Sequence, residues 1–170
     1  MSTFPTRILL ATEGSPHAEL AERKAIELAE STGARLHVVV VGRTFSQAVY
    51  NKFFADTESG REAIRREAQD ILDERLRKIE EAGGTGAVSH LKFGERRDEA
   101  IVHLAEDISA DLIVIGSRGH GGLQRALMGS IADSVVRHAH CPVLVVRPVE
   151  PAHGHNTSRS FTASGFLGIG

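Results

Sequence analysis

Asp111-Leu-Ile-Val-Ile115, followed by Gly116-Ser-Arg-Gly119-His-Gly-Gly-Leu-Gln-Arg-Ala-Leu-Met-Gly129-Ser130 and then Ile131-Ala-Asp133, places an apolar run, a glycine-rich segment and a helix start in succession. The apolar run is short and rich in β-branched residues, the pattern of a strand buried on both faces. Ser130 stands where an N-cap would, with Asp133 at the acidic position of a capping box. Glycines let a backbone approach a ligand closely. The first amides of a helix have no partner inside it, and the macrodipole adds positive charge there. A phosphate suits both features, and Arg118 adds a charge-assisted contact. Gly129 precedes the cap, where a side chain would intrude on the phosphate path. Without a ligand, the same stretch is simply a glycine-rich connection.

Two nucleotide motifs are excluded. No Gly-Lys-Ser/Thr is present, so this is not a Walker A loop, and the glycines do not space as G-x-G-x-x-G. Working outward, Arg7 to Ala11 and Arg35 to Val41 read as strands flanking a helix. Ser15 caps that helix, Pro16 opens it and Gly33 stops it. Glu58 to Ala82 is the clearest helix, with Ile64, Ala68, Ile71, Leu72, Leu76 and Ile79 on one face. Its charged faces carry i,i+4 pairs such as Glu74–Lys78 and read as solvated surface. Ala87 to Phe93 is more mixed in polarity and predicts an edge strand. Asp98 reads as the cap of the next helix, and Val143 to Val146 as the last strand.

Between these elements, 42–57 contains Phe45, Tyr50, Phe53 and Phe54. It reads either as a loop folded onto the core or as a lid over a ligand. Residues 1–148 form one domain on this reading, and 149–170 a flexible C-terminal tail rich in Pro, Gly, Ser, Thr and His. Five strands alternating with four helices predict an α/β fold: a doubly wound, open, parallel sheet with helices on both faces.

The chain has 170 residues, 20 Lys plus Arg against 22 Asp plus Glu, and a formal net charge of −2. No basic excess points to nucleic acid. Trp is absent and Tyr50 is the only Tyr, which argues against a base-stacking platform. Cys141 is the sole cysteine, so neither an intrachain disulfide nor a cysteine metal cage can form. With no apolar run of membrane-spanning length and no signal-peptide pattern, the expected location is the cytoplasm. His138-Ala-His140 and His153-Gly-His155 lack the further ligands that would complete a metal site. No nucleophile–base–orienter motif supports catalysis.

The spacing Gly116, Gly119, Gly129, Ser130 is G-x2-G-x9-G-S. With the flanking Asp-Leu-Ile-Val-Ile-Gly-Ser-Arg-Gly and Cys-Pro-Val-Leu-Val-Val, it resembles the ATP-binding branch of the universal stress protein family. The resemblance covers about residues 6 to 147, by the strand and helix pattern. It implies strand order 3-2-1-4-5, as in adenine nucleotide alpha hydrolase-like folds, with ATP (or AMP, ADP or cAMP) as ligand and Mg²⁺ as a companion. By that resemblance Ala11 and Thr12 border the adenine, and Val40 contacts it through its backbone. Gly116, Arg118 and Gly119 surround ribose and phosphates, while Gly129, Ser130, Ile131 and Ala132 present helix-end groups. Glu13 stands where the family more often has Asp to help hold a cation. It can serve that cation or only the helix start. The resemblance further implies a homodimer through Val143 to Val146 and a regulatory stress-response role with an unidentified protein partner. Slow ATP hydrolysis or autophosphorylation, or a nucleotide-independent scaffold, are the alternatives.

Overall fold

The structure is a computed structural model that describes residues 4–43, 58–118 and 128–148. The 42–57 lid reading falls almost wholly outside these residues, as do Gly119 and the proposed tail. The elements run β1 (Arg7–Ala11), α1 (Pro16–Thr32), β2 (Arg35–Arg43), α2 (Glu58–Glu81), β3 (Val88–Gly94), α3 (Arg97–Asp107), β4 (Leu112–Gly116), α4 (Ser130–His138) and β5 (Val143–Val146). The strands form one parallel sheet in the order β3-β2-β1-β4-β5. The order implied by the resemblance is therefore the order seen, with β3 and β5 at the edges.

Register follows from burial. Leu9 pairs with His37 on one side and Ile113 on the other, and Ala11 with Val39 and Ile115. Because side chains alternate across a strand, each face of the sheet has its own core. Ile8, Leu10, Val38 and Val114 pack with Ala21, Ala25 and Ile26 of α1 and Leu72 and Ile79 of α2. Leu9, Val39, Ile113 and Ile115 pack with Ile101, Leu104 and Ala105 of α3 and Ala132 and Val135 of α4. The two helix layers thus cover opposite faces.

Local chemistry sets the helix ends. The Ala18 amide donates to Ser15 Oγ at 3.2 Å, with Pro16 at the first helical position, and Gly33 ends α1 in the left-handed region at φ 72°. This is the start and stop read from the sequence. Two cap assignments change. The N-cap of α4 is Gly129, so Ser130 is its first helical residue. The N-cap of α3 is Arg96, and Asp98 lies in the first turn, where it accepts from Ser134 Oγ at 2.5 Å. Both shifts are within the one or two residues by which helix starts are ambiguous in sequence. The solvated-face reading of α2 holds for Glu74 and Lys78, 3.3 Å apart. Arg75 on the same helix is buried.

Candidate functional site

The sheet winds outward in both directions from the adjacent strands β1 and β4. That reversal opens a crevice beyond their carboxyl ends, the place where open α/β sheets take ligands. Three segments reach it: 12–15 after β1, 116–118 after β4, and 128–132 at the start of α4.

The first segment is held from below. The Thr12 amide donates to the Val39 carbonyl at 3.1 Å, and its hydroxyl donates to Glu22 Oε1 at 2.6 Å. Gly14 turns the chain at φ 81°, which a side chain would resist. Glu13 accepts from the Ser15 hydroxyl, the same oxygen that caps α1. That contact ties Glu13 to the helix start. Among the described residues, no group of three or more His, Cys, Asp or Glu could hold a metal ion. A cation beside Glu13 would draw most of its oxygens from phosphates and water, a donor set that Mg²⁺ accepts.

The second segment shows why position 116 is glycine. A Cβ there would lie 2.9 Å from the His17 carbonyl oxygen, so β4 passes close beneath the first turn of α1. This steric reason needs no ligand. Ser117 is buried, and its amide donates to the Val146 carbonyl at 2.8 Å. Arg118 follows, half-buried.

At the third segment, the Gly129 amide donates to the Ser117 carbonyl at 2.8 Å. A Cβ on Gly129 would meet that same oxygen at 3.3 Å and Arg118 Cα at 3.4 Å. The protein's own backbone therefore also crowds position 129. Gly129 has φ −62° and gives α4 no side-chain cap. The Asp133 amide is taken by the Gly129 carbonyl at 2.9 Å. The amides of Ser130, Ile131 and Ala132, ahead of it, are the helix-end donors that intrahelical bonding leaves over.

The structure thus brings Ala11, Thr12, Glu13, Gly116, Arg118, Gly129, Ser130, Ile131 and Ala132 to one end of the sheet. Val40 lies in β2, one residue past Ala11's partner Val39. Its side chain is buried in the α1–α2 core, so its backbone is what it has to offer a ligand. Gly119 lies outside the described residues. Sequence reasoning missed Glu22 and Arg75 beneath the first segment. The signal was available: each interrupts a row of apolar residues at helical spacing, Ala18, Ala21 and Ala25 in one case, Leu72 and Ile79 in the other.

A separate groove of about 320 Å³ lies between α3 and α4, lined by Arg96, Asp98, Val102, His103, Ser134 and His138 among others. Burial raises the Asp98 pKa, but hydrogen bonds from Ser134 and Arg96 outweigh it and hold the carboxyl below its ordinary value. Ser134 gives its proton to this carboxylate rather than presenting it to His138, so the trio is not arranged as an activated nucleophile.

A model of the universal stress protein family matches residues 5–147. A putative universal stress protein of Staphylococcus aureus strain USA300 is 36% identical over 146 residues, 84% of each chain. A solved protein of the family from Burkholderia pseudomallei is 30% identical at a TM-score of 0.65, with 84% of this chain and 96% of that one covered. A universal stress protein solved in complex with cAMP is 24% identical at a TM-score of 0.65, with 85% and 98% covered. The same fold was solved with dAMP in an Archaeoglobus fulgidus protein and with AMP in an Arabidopsis thaliana protein, at TM-scores of 0.62 and 0.60. Matched by the family model across all five strands and more than a third identical to a curated relative, this chain belongs to the universal stress protein family.

Proposed function

We propose that the chain binds an adenine nucleotide at the carboxyl ends of β1 and β4 and acts as a regulatory stress-response module. The observation that carries this is the start of α4 at the topological switch point, where the N-cap residue is Gly129 and offers no side-chain oxygen. The first amides of a helix, at its positive end, favour an anion. Fold neighbours bound to cAMP, dAMP and AMP support the adenine class.

In this reading Ala11 and Thr12 border the adenine, and Val40 offers its backbone. Gly116, Arg118 and Gly119 flank ribose and phosphates. Gly129, Ser130, Ile131 and Ala132 receive the phosphates at the helix end. ATP is the form we assign, with Mg²⁺ held chiefly by its phosphates and Glu13 beside it. The ligand's presence would set the surface seen by a protein partner.

The functional unit is proposed to be a cytoplasmic homodimer joined through β5. That strand is an edge, and Leu144 on it is 37% exposed. An apolar edge needs a cover, and a two-fold pairing of identical strands supplies one. No helix of the described residues is long and apolar enough to cross a membrane.

Calorimetric titration with ATP, AMP and adenosine, with and without Mg²⁺, tests the reading. ATP should bind, and more tightly than adenosine. Turnover of bound ATP would favour the enzymatic alternative. Absence of binding by all three ligands would favour the scaffold.

A further inference from the structure

The row that α2 turns inward is Ala68, Leu72, Arg75 and Ile79, all buried. The inward row of α1 is Ala18, Ala21, Glu22 and Ala25. One guanidinium and one carboxylate therefore occupy core positions on facing helices. Replacing a buried ion pair by apolar residues of similar volume is often neutral or stabilising, so the pair calls for a reason besides stability.

Their surroundings do. Arg75 Nη1 lies 3.1 Å from Glu19 Oε1 and 3.8 Å from Glu22 Oε2, and Nη2 lies 2.7 Å from Glu74 Oε1. Lys78 joins the set through Glu19 at 3.2 Å. The guanidinium is thus pinned by carboxylates from both helices. Its Nε is buried with no hydrogen-bond partner among the described residues. Above it sits Gly14: a Cβ at that residue would lie 3.7 Å from both Nε and Cζ of Arg75, and 3.9 Å from Ile71 Cγ2. Glu22 Oε1 meanwhile accepts from the Thr12 hydroxyl at 2.6 Å, and that hydroxyl oxygen in turn faces the Gly14 amide at 3.4 Å.

We infer that Glu22 and Arg75 are positioning residues for the nucleotide loop: the carboxylate fixes the Thr12 hydroxyl, and the guanidinium forms the floor under Gly14. The inference rests on the reading of 12–14 as one wall of the adenine crevice. A loop fixed before the ligand arrives saves ordering entropy on binding, which appears as affinity. Neither residue touches the ligand; both act through the loop. Because the floor belongs to α2, any shift of α2 along α1 reaches the crevice through Arg75.

The test uses the full chain and two readouts: amide hydrogen exchange at Gly14 in the ligand-free protein, and affinity for adenosine, which has no phosphate to engage α4. Glu22→Ala should speed Gly14 exchange and weaken adenosine about tenfold, the scale of a lost preorganised contact. Glu22→Gln, which keeps an acceptor for Thr12, should restore both to within about twofold. Arg75→Met should loosen Gly14 while the Ile113 amide in β4 keeps its protection. If Glu22→Ala does not fold, Thr12→Val against Thr12→Ser reads the same hydrogen bond from its other end, with only Val loosening Gly14. Parental exchange at Gly14 in Glu22→Ala and Arg75→Met, or a loss that Gln does not restore, overturns the inference. If the parent binds no adenine ligand, the proposed function fails, and exchange at Gly14 alone then decides whether Glu22 and Arg75 position the loop.

Discussion

The Gly129 amide donates to the carbonyl oxygen of Ser117 at 2.8 Å, tying the start of α4 to the end of β4. This bond sets where the first amides of the helix sit. It also makes position 129 crowded: an added methyl carbon would sit 3.3 Å from the Ser117 carbonyl oxygen and 3.4 Å from Arg118 Cα. Gly129→Ala should therefore cost about 1 kcal/mol or less by slight backbone movement, and Gly129→Val more. Both should weaken ATP more than adenosine. Ser130→Ala, at an exposed first helical position rather than a cap, should leave the thermal midpoint roughly unchanged, since alanine suits a helix at least as well. Paired melting curves and titrations separate the two effects.

Gly116 carries a structural prediction independent of any ligand. A Cβ 2.9 Å from the His17 carbonyl oxygen forces β4 and α1 apart. Gly116→Ala should destabilise by roughly 1–3 kcal/mol, the usual range for overpacking. Urea denaturation checks it, and an unchanged midpoint would show that α1 moves aside freely.

His37 on β2 and His90 on β3 stack with ring centroids 5.2 Å apart, and His37 Nδ1 lies 2.9 Å from His90 Nε2. Burial, then the charges of His90, Arg35 and Arg7, pull the His37 pKa below its ordinary 6.5. Burial, then Lys92, does the same to His90. The unfolded chain therefore takes up protons at a higher pH than the folded one. Stability is fully present above 6.5 and declines as pH falls below it, until the folded pKa values are passed. His90→Gln removes one titrating ring and its partner. Between about pH 7.5 and about pH 5.5, urea midpoints should fall less in the variant than in the parent. Equal falls would contradict the assignment.

The β5 edge yields a test of assembly. Val143 and Val145 pack against the α3–α4 core. A charge at either would open that core as well as the edge. Leu144, 37% exposed, is the position where lysine tests pairing alone. Leu144→Lys should shift a dimer to monomer in light scattering with its helical circular dichroism retained. A monomeric parent would remove the dimer proposal.

The order of elements is legible because buried parallel strands and amphipathic helices leave distinct periods: Leu112–Ile115 is apolar throughout, whereas α2 repeats every three or four residues. Strand order comes from resemblance, since periodicity does not state which strands are neighbours. The sequence misplaces the cap of α4 by one residue because Ser130 is a good cap by type, while what decides it is backbone geometry: Gly129 is extended and its carbonyl accepts the first intrahelical bond, from the Asp133 amide. Gly116 reads as a ligand glycine because its steric neighbour, His17, lies in a different helix early in the chain. Arg75 looks like part of a charged surface by residue type, and only the packing of α1 against α2 shows it buried.

Chemical-shift mapping of the ¹⁵N-labelled protein during an ATP titration tests the central claim most directly. The account predicts the largest shifts at the amides of Thr12 to Gly14, Val40, Gly116 to Arg118 and Gly129 to Ala132, with core amides such as Leu104 unmoved. Shifts confined to the groove around Asp98, Ser134 and His138, or none at saturating ATP, would contradict it.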